Sequence, residues 1–263
     1  MAKLERAAGR VLFAPVIFRL ALRLDQVTWS EFTTSASEAV FVLRAAQRLF
    51  GLDAVFCWFD TWLEAEAAGA ELKRDHLGRV LTAQPPEAMR PVEATLSAAP
   101  IAHAVEIVRR LRDEAVPVVG MLTAPKTLRA RLPGADPEHL RALGVDLARA
   151  YCEAGAGALA LVQEEESQDL TDLSEAAAMF NLAEYYATPV MLFARHALSA
   201  AGCAVAERLT NGLFITPTQV GAAITPVSDA PQPAAWLALS RWEVPPETLP
   251  EDVRAWAHAL QPA

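Results

Sequence analysis

Residues 56–72 read FCWFDTWLEAEAAGAEL. The stretch has two halves: an apolar run that ends at Asp60, and an acidic, alanine-rich segment of helical character directly after it. A strand buried on both faces reads as continuous apolar sequence, without alternation. On that reading Asp60 stands at a strand's C-terminal end, where α/β proteins place their chemistry. The competing reading is local, with Asp60 capping the helix that begins near Trp62.

The same pattern recurs to either side. Short apolar runs lie at 10–18 (RVLFAPVIF), 54–59 (AVFCWF), 116–123 (VPVVGMLT), 158–163 (ALALVQ) and 189–194 (PVMLFA). Between them are amphipathic stretches at 37–51, 100–114, 137–155 and 172–187, the first with late basic residues and a final glycine. Strand and helix in alternation predict a parallel sheet with helices outside. After residue 195 the rhythm changes: GLFITP (212–217), AAITPV (222–227) and WLALSR (236–241) come with short connectors and a proline-rich loop, and PEDVRAWAHAL (250–260) reads as a closing helix. The candidate strands reach the number that closes a (β/α)8 TIM barrel. The expected fold is such a barrel, trimmed of helices after strand five, with residues 1–263 as a single domain.

Composition narrows the class. Hydrophobic residues make up 53% and charged residues 21%, which marks a globular chain. A net charge of −9 argues against nucleic acid, whose phosphates need a basic face. No apolar run is long enough to span a bilayer. At the N-terminus Pro15 and Arg19 interrupt the apolar run, which therefore reads as a first strand and not as a signal peptide. Cys57, Cys152 and Cys203 are odd in number and far apart, so neither a disulfide framework nor a thiolate zinc cage is expected. The expectation is a cytoplasmic protein with reduced thiols and no membrane contact.

In a barrel, the strand tips select candidate site residues. They carry Arg19, Asp60, Thr123 to Lys126, Glu164 to Glu166, Arg195 and His196, Thr216, Asp229, and Arg241 with Trp242.

Several of these segments together resemble the uroporphyrinogen decarboxylase superfamily, which includes zinc methyltransferases that take methyl groups from corrinoid proteins. In both branches the second strand ends in Asp with a Gly nine residues on, as in Asp60 and Gly69. DTWLEAEAAGAE looks closer to the methyltransferases, and PVMLFARH (189–196) to the decarboxylase. VPVVGMLTAPKTLRARLPG (116–134), EAGAGALALVQEEES (153–167) and WLALSRWEVPPETLPEDVRAW (236–256) resemble the third, fourth and final strands, each with its succeeding loop or helix start. The resemblance runs through nearly the whole chain in order.

The departures bear on function. Where the methyltransferases hold zinc through His-x-Cys and a late Cys, this sequence has Phe193, Arg195 and Trp242, so no metal and no cofactor are expected. The decarboxylase branch uses two arginines four residues apart after strand one to hold substrate carboxylates; Arg19 and Arg23 have that spacing, which shares one face of a helix. The family's Tyr after strand three and His after strand eight correspond to Arg131 and Trp242.

Strand-tip position and the resemblance together point to Asp60 and His196 as catalytic groups, with Arg19, Arg23, Lys126, Arg131, Glu164, Arg195 and Trp242 lining the substrate. Each has a plainer alternative. Arg19 and Arg23 fit a structural pair with Asp25 or Glu31, Lys126 a solvated turn, and Glu164–Glu166 a solvated loop. The expected activity is metal-independent decarboxylation of an anionic, tetrapyrrole-like or simpler carboxylate substrate. The alternatives are a methyltransferase or demethylase working with a corrinoid protein, and a catalytically inactive partner subunit. A homodimer is compatible with all three.

Overall fold

The computed structural model describes residues 12–112, 116–165, 175–194, 237–238, 240 and 243–259. In chain order the elements are β1 (Leu12–Phe13), α1 (Phe18–Leu24), α2 (Trp29–Thr34), α3 (Ala36–Phe50), β2 (Val55–Phe56) and α4 (Leu63–Ala67). A hairpin comes next, β3 (Glu71–Arg74) and β4 (Val80–Gln84), then α5 (Val92–Leu96), α6 (Ala99–Leu111), β5 (Val118–Thr123) and α7 (Pro125–Arg131). The rest are α8 (Pro137–Ala154), β6 (Ala158–Gln163), α9 (Ala177–Tyr185), β7 (Val190–Ala194), β8 (Leu237–Ala238) and α10 (Pro250–Ala259).

The architecture is α/β with parallel strands. β2, β5, β6 and β7 form a parallel sheet in that order, and β1 pairs in parallel with β8. Asp53 bridges the two, donating its N–H to the Phe13 carbonyl and accepting the Phe13 N–H on Oδ2, both at 2.8 Å. Among the described residues the sheet does not close. The expected strands at 212–217 and 222–227 lie outside the described residues, as does the stretch expected to lack helices.

The central strands are as the apolar runs suggested. Every residue of β5 and of β6 is buried, because helices cover one face and the interior the other. The first run behaves differently. Its strand stops at Phe13, since Pro15 has no N–H to give to a ladder, and Phe18 already belongs to α1. Helix ends obey local chemistry: Ser35 caps α3 and Gly51 ends it at φ 63°, while Asp136 caps α8 and Gly155 ends it at φ 101°. No described helix is long and apolar enough to cross a membrane.

Helix α8 packs directly on β5. A Cβ at Gly120 would lie 2.7 Å from the buried Tyr151 ring. Gly120→Ala is therefore expected to destabilise by about 1–3 kcal/mol through overpacking, read as a lower denaturation midpoint at unchanged m-value. An unshifted midpoint would mean that the ring moves aside freely.

Candidate active site

Asp60 lies just beyond β2 at the end of its apolar run, and its side chain is 4% exposed. Its backbone N–H points at the Met121 sulfur, 3.2 Å away, and Oδ1 accepts the Trp62 N–H at 3.2 Å. Asp60 does not cap α4: the N-cap position is Trp62, with no side-chain cap. Oδ2 lies 2.7 Å from Arg74 Nη2, off the direction of a hydrogen bond, and has no aligned donor. One carboxylate oxygen is thus buried, ion-paired and still short of a hydrogen bond.

Arg74 comes from a part of the chain with no counterpart in the sequence expectation, the β3–β4 hairpin. Asp75 Oδ1 accepts the N–H groups of Leu77 and Arg79 and so shapes the turn. The turn lies against the Trp29 ring. Arg74 stacks on that ring at 4.8 Å, donates to the Gly78 carbonyl at 2.8 Å and pairs with Glu66 at 2.7 Å. Burial works against the guanidinium's charge, but the Asp60 and Glu66 carboxylates beside it more than offset this, and its pKa is raised. Gly78 makes the seating possible: it has φ +79°, and a Cβ there would come within 2.1 Å of the Trp29 ring. Gly78→Ala should therefore lift the turn off the Trp29 ring. The check is hydrogen exchange at Leu77 and Arg79, expected to be faster in the variant; unchanged protection would contradict this seating.

Arg19 and Arg23 do share one face of α1, but that face meets the 243–248 segment. Arg19 forms an ion pair with Glu243, which also accepts its backbone N–H at 2.6 Å, and Arg19 Nε donates to the Leu77 carbonyl. Arg23 is exposed and donates to the Thr248 carbonyl at 3.1 Å. The pairing with Asp25 or Glu31 is replaced by one with Glu243, while Glu31 completes a capping box with Thr28. Arg19 is thus matched by the Glu243 carboxylate, whereas Arg23 bonds a backbone carbonyl.

On the other side of Asp60 the chain gathers a second ion-pair group. Thr61 Oγ1 donates to Glu164 at 2.8 Å; Arg131 pairs with Glu164 and with Glu165, and stacks over the Trp62 ring at 4.5 Å. Thr127 Oγ1 accepts the N–H groups of both glutamates and ties the end of β6 to α7. Lys126 is half-buried beside it, in the first turn of α7. Arg195, His196 and Trp242 lie outside the described residues.

Two buried acids were not singled out from the sequence. Glu64 is fully buried and accepts the Thr123 N–H at 2.7 Å, with its other oxygen 2.6 Å from Thr123 Oγ1. Burial raises its pKa, the Thr123 hydrogen bonds oppose this, and the Asp60 charge adds to it. Burial likewise raises Glu243, against the pull of Arg19. An unfolded Glu titrates near 4.5, so above that pH the folded state still holds a proton that the unfolded chain has lost. Stability should fall as pH rises from about 4.5 through the raised folded value, then level off. Glu64→Gln should flatten this slope in denaturant titrations across pH; an unaltered slope would show that Glu64 titrates alike in the folded and unfolded chain.

Phe193 stands where the sequence resemblance to the zinc methyltransferases would put a metal ligand. Its ring is buried and packs edge-on against Phe56 at 5.3 Å and Phe59 at 6.0 Å, offering carbon and no lone pair. The residue present does not fit zinc at this position. Among the described residues no cluster of His, Cys, Asp and Glu has the arrangement of a metal site.

The described strands thus form a parallel sheet with a carboxylate just beyond β2. Residues 6–146, more than half of the chain, match the uroporphyrinogen decarboxylase (URO-D) family, and the chain belongs to it. A methyltransferase from Methanosarcina mazei shares the fold, with a TM-score of 0.67 and 14% identity over 96% of this chain and 94% of that one. No curated protein matches the chain.

Proposed function

We propose that this chain is a metal-independent enzyme of the URO-D family that decarboxylates a small molecule, with Asp60 at the reacting centre. The observation behind this reading is the state of Asp60: a buried carboxylate with one oxygen lacking an aligned donor. Such an oxygen suits an N–H group or a developing cation on a substrate. In the step envisaged, a conjugated substrate takes up a proton and becomes electron-poor. The C–C bond to its carboxylate breaks, the electron pair enters the cationic system, and CO2 leaves. Asp60 stabilises the cation. The full reaction consumes one proton per CO2.

The ion pairs refine the substrate class. Arg19, Arg74 and Arg131 are each matched by at least one carboxylate, namely Glu243, Asp60 with Glu66, and Glu164 with Glu165. A polycarboxylate would have to displace these pairs. The favoured substrate is therefore a compact acid with one or two carboxylates and an N–H or protonatable group, with Arg195 as an anchor for its charge and His196 as a further acid–base group. The site is read as part of a full barrel in a single domain.

A second reading, methyl transfer with a corrinoid protein partner, has the Methanosarcina mazei methyltransferase fold in its favour. With Phe193 at a ligand position it requires another way to activate the acceptor. The test is to identify a retained small molecule by native mass spectrometry and to assay CO2 release from it. Release by the wild type and loss in Asp60→Asn supports decarboxylation; methyl exchange with a corrinoid protein supports the second reading.

A further inference from the structure

The decarboxylation above needs a proton donor, and Glu64 has the properties of one. It follows Asp60 by four residues, close enough that the Asp60 charge acts on its carboxyl. Among the described residues it has no cationic partner: its contacts are the Thr123 N–H on one oxygen and the Thr123 hydroxyl, 2.6 Å from the other. Its titratable neighbours among the described residues are Asp60 and Tyr151, and Tyr151 in turn interacts with Cys57. Burial pushes the Cys57 thiol up to about 12 and the Tyr151 hydroxyl well above its usual value, so neither brings a charge of either sign at neutral pH. A fully buried carboxyl with no cation and one anionic neighbour is stable as the neutral acid. Its acidic hydrogen then has one acceptor within reach, Thr123 Oγ1, and the Thr123 hydroxyl hydrogen is released to point elsewhere. Thr123 is the last residue of β5, the strand that neighbours β2, so that hydroxyl stands at the same sheet end as Asp60.

Resting on the decarboxylase reading, we infer that Glu64 is the proton store of the site and Thr123 the relay. As the substrate carbon that has lost CO2 takes the Thr123 hydroxyl proton, the Glu64 proton moves onto Thr123 Oγ1, and the proton taken up before CO2 loss leaves the substrate for solvent, so one proton is consumed per CO2. The product gains one C–H bond, Glu64 becomes a carboxylate, and no electrons are exchanged with any other group. Solvent returns the proton once product has left. Glu64 acts through Thr123 and does not itself touch the substrate. Asp60 stabilises a cation, and Glu64 supplies a proton.

The test needs no substrate. The full chain is labelled with 13C at glutamate side-chain carboxyls and monitored by NMR across pH, with the Glu64 resonance assigned by its loss in Glu64→Gln. The expected result is a neutral carboxyl at pH 7 that ionises only at higher pH. In Asp60→Asn, which removes the adjacent charge, its midpoint should shift downward; in Thr123→Val, which removes the hydroxyl but keeps the shape, its resonance should move. A carboxylate at pH 7 overturns the inference. So does a neutral carboxyl whose midpoint ignores Asp60→Asn, because that acid would be isolated from the site. The decarboxylase reading fails on a different measurement, unchanged turnover in Asp60→Asn, so the two failures remain distinct.

Discussion

Arg74→Met should cost about 3–5 kcal/mol of stability, because it leaves the Asp60 carboxylate buried without its counter-charge. The pair is deeply enclosed, with side chains 8% and 4% exposed, so solvent cannot replace the lost guanidinium. The loss extends beyond one contact, since Arg74 also holds the Gly78 carbonyl, Glu66 and the Trp29 face. The double variant Arg74→Met/Asp60→Asn should recover a substantial part of the loss, since no unpaired charge then remains. Urea titrations of the two single variants and the double variant measure this coupling directly. Additive effects would show that Arg74 matters only as packing.

The second large effect falls on activity. Asp60→Asn keeps the volume and the Trp62 contact but replaces the anionic oxygen, so turnover should drop by roughly 10²–10³-fold, the range for removing one electrostatic stabiliser. The fold should survive, because Arg74 retains Glu66 as a partner. The measurement is kcat on the retained compound, with circular dichroism to confirm folding. Full activity in the variant would remove Asp60 from the reaction.

How far the sequence revealed this site depended on the range of each signal. Asp60 was legible because a buried parallel strand leaves a long apolar run, and the end of that run marks a sheet edge. The interiors of β5, β6 and β7 were legible for the same reason. Arg74 was not, because its importance depends on where the hairpin docks, and short strands such as ELKR and VLTAQ carry no strong alternation. The turn DHLG at 75–78 was the one local signal, with Asp75 and Gly78 set for a tight turn. Glu64 sat inside the stretch that decided the fold, yet an acidic residue in an alanine-rich helix reads as a solvent face; only packing against Thr123 shows it to be buried. Arg19 and Arg23 were placed on one helical face, but their partners, Glu243 and Thr248, arrive from more than 200 residues away. Charge pairing at that distance leaves no trace in spacing.

Native mass spectrometry with metal analysis, on the protein purified from its own cells, tests the central claim most directly. The account predicts a single chain type carrying a small organic acid, no stoichiometric zinc, and loss of that acid in Asp60→Asn. Stoichiometric zinc, or a co-purifying corrinoid protein with no small acid bound, would contradict it and assign the chain to methyl transfer.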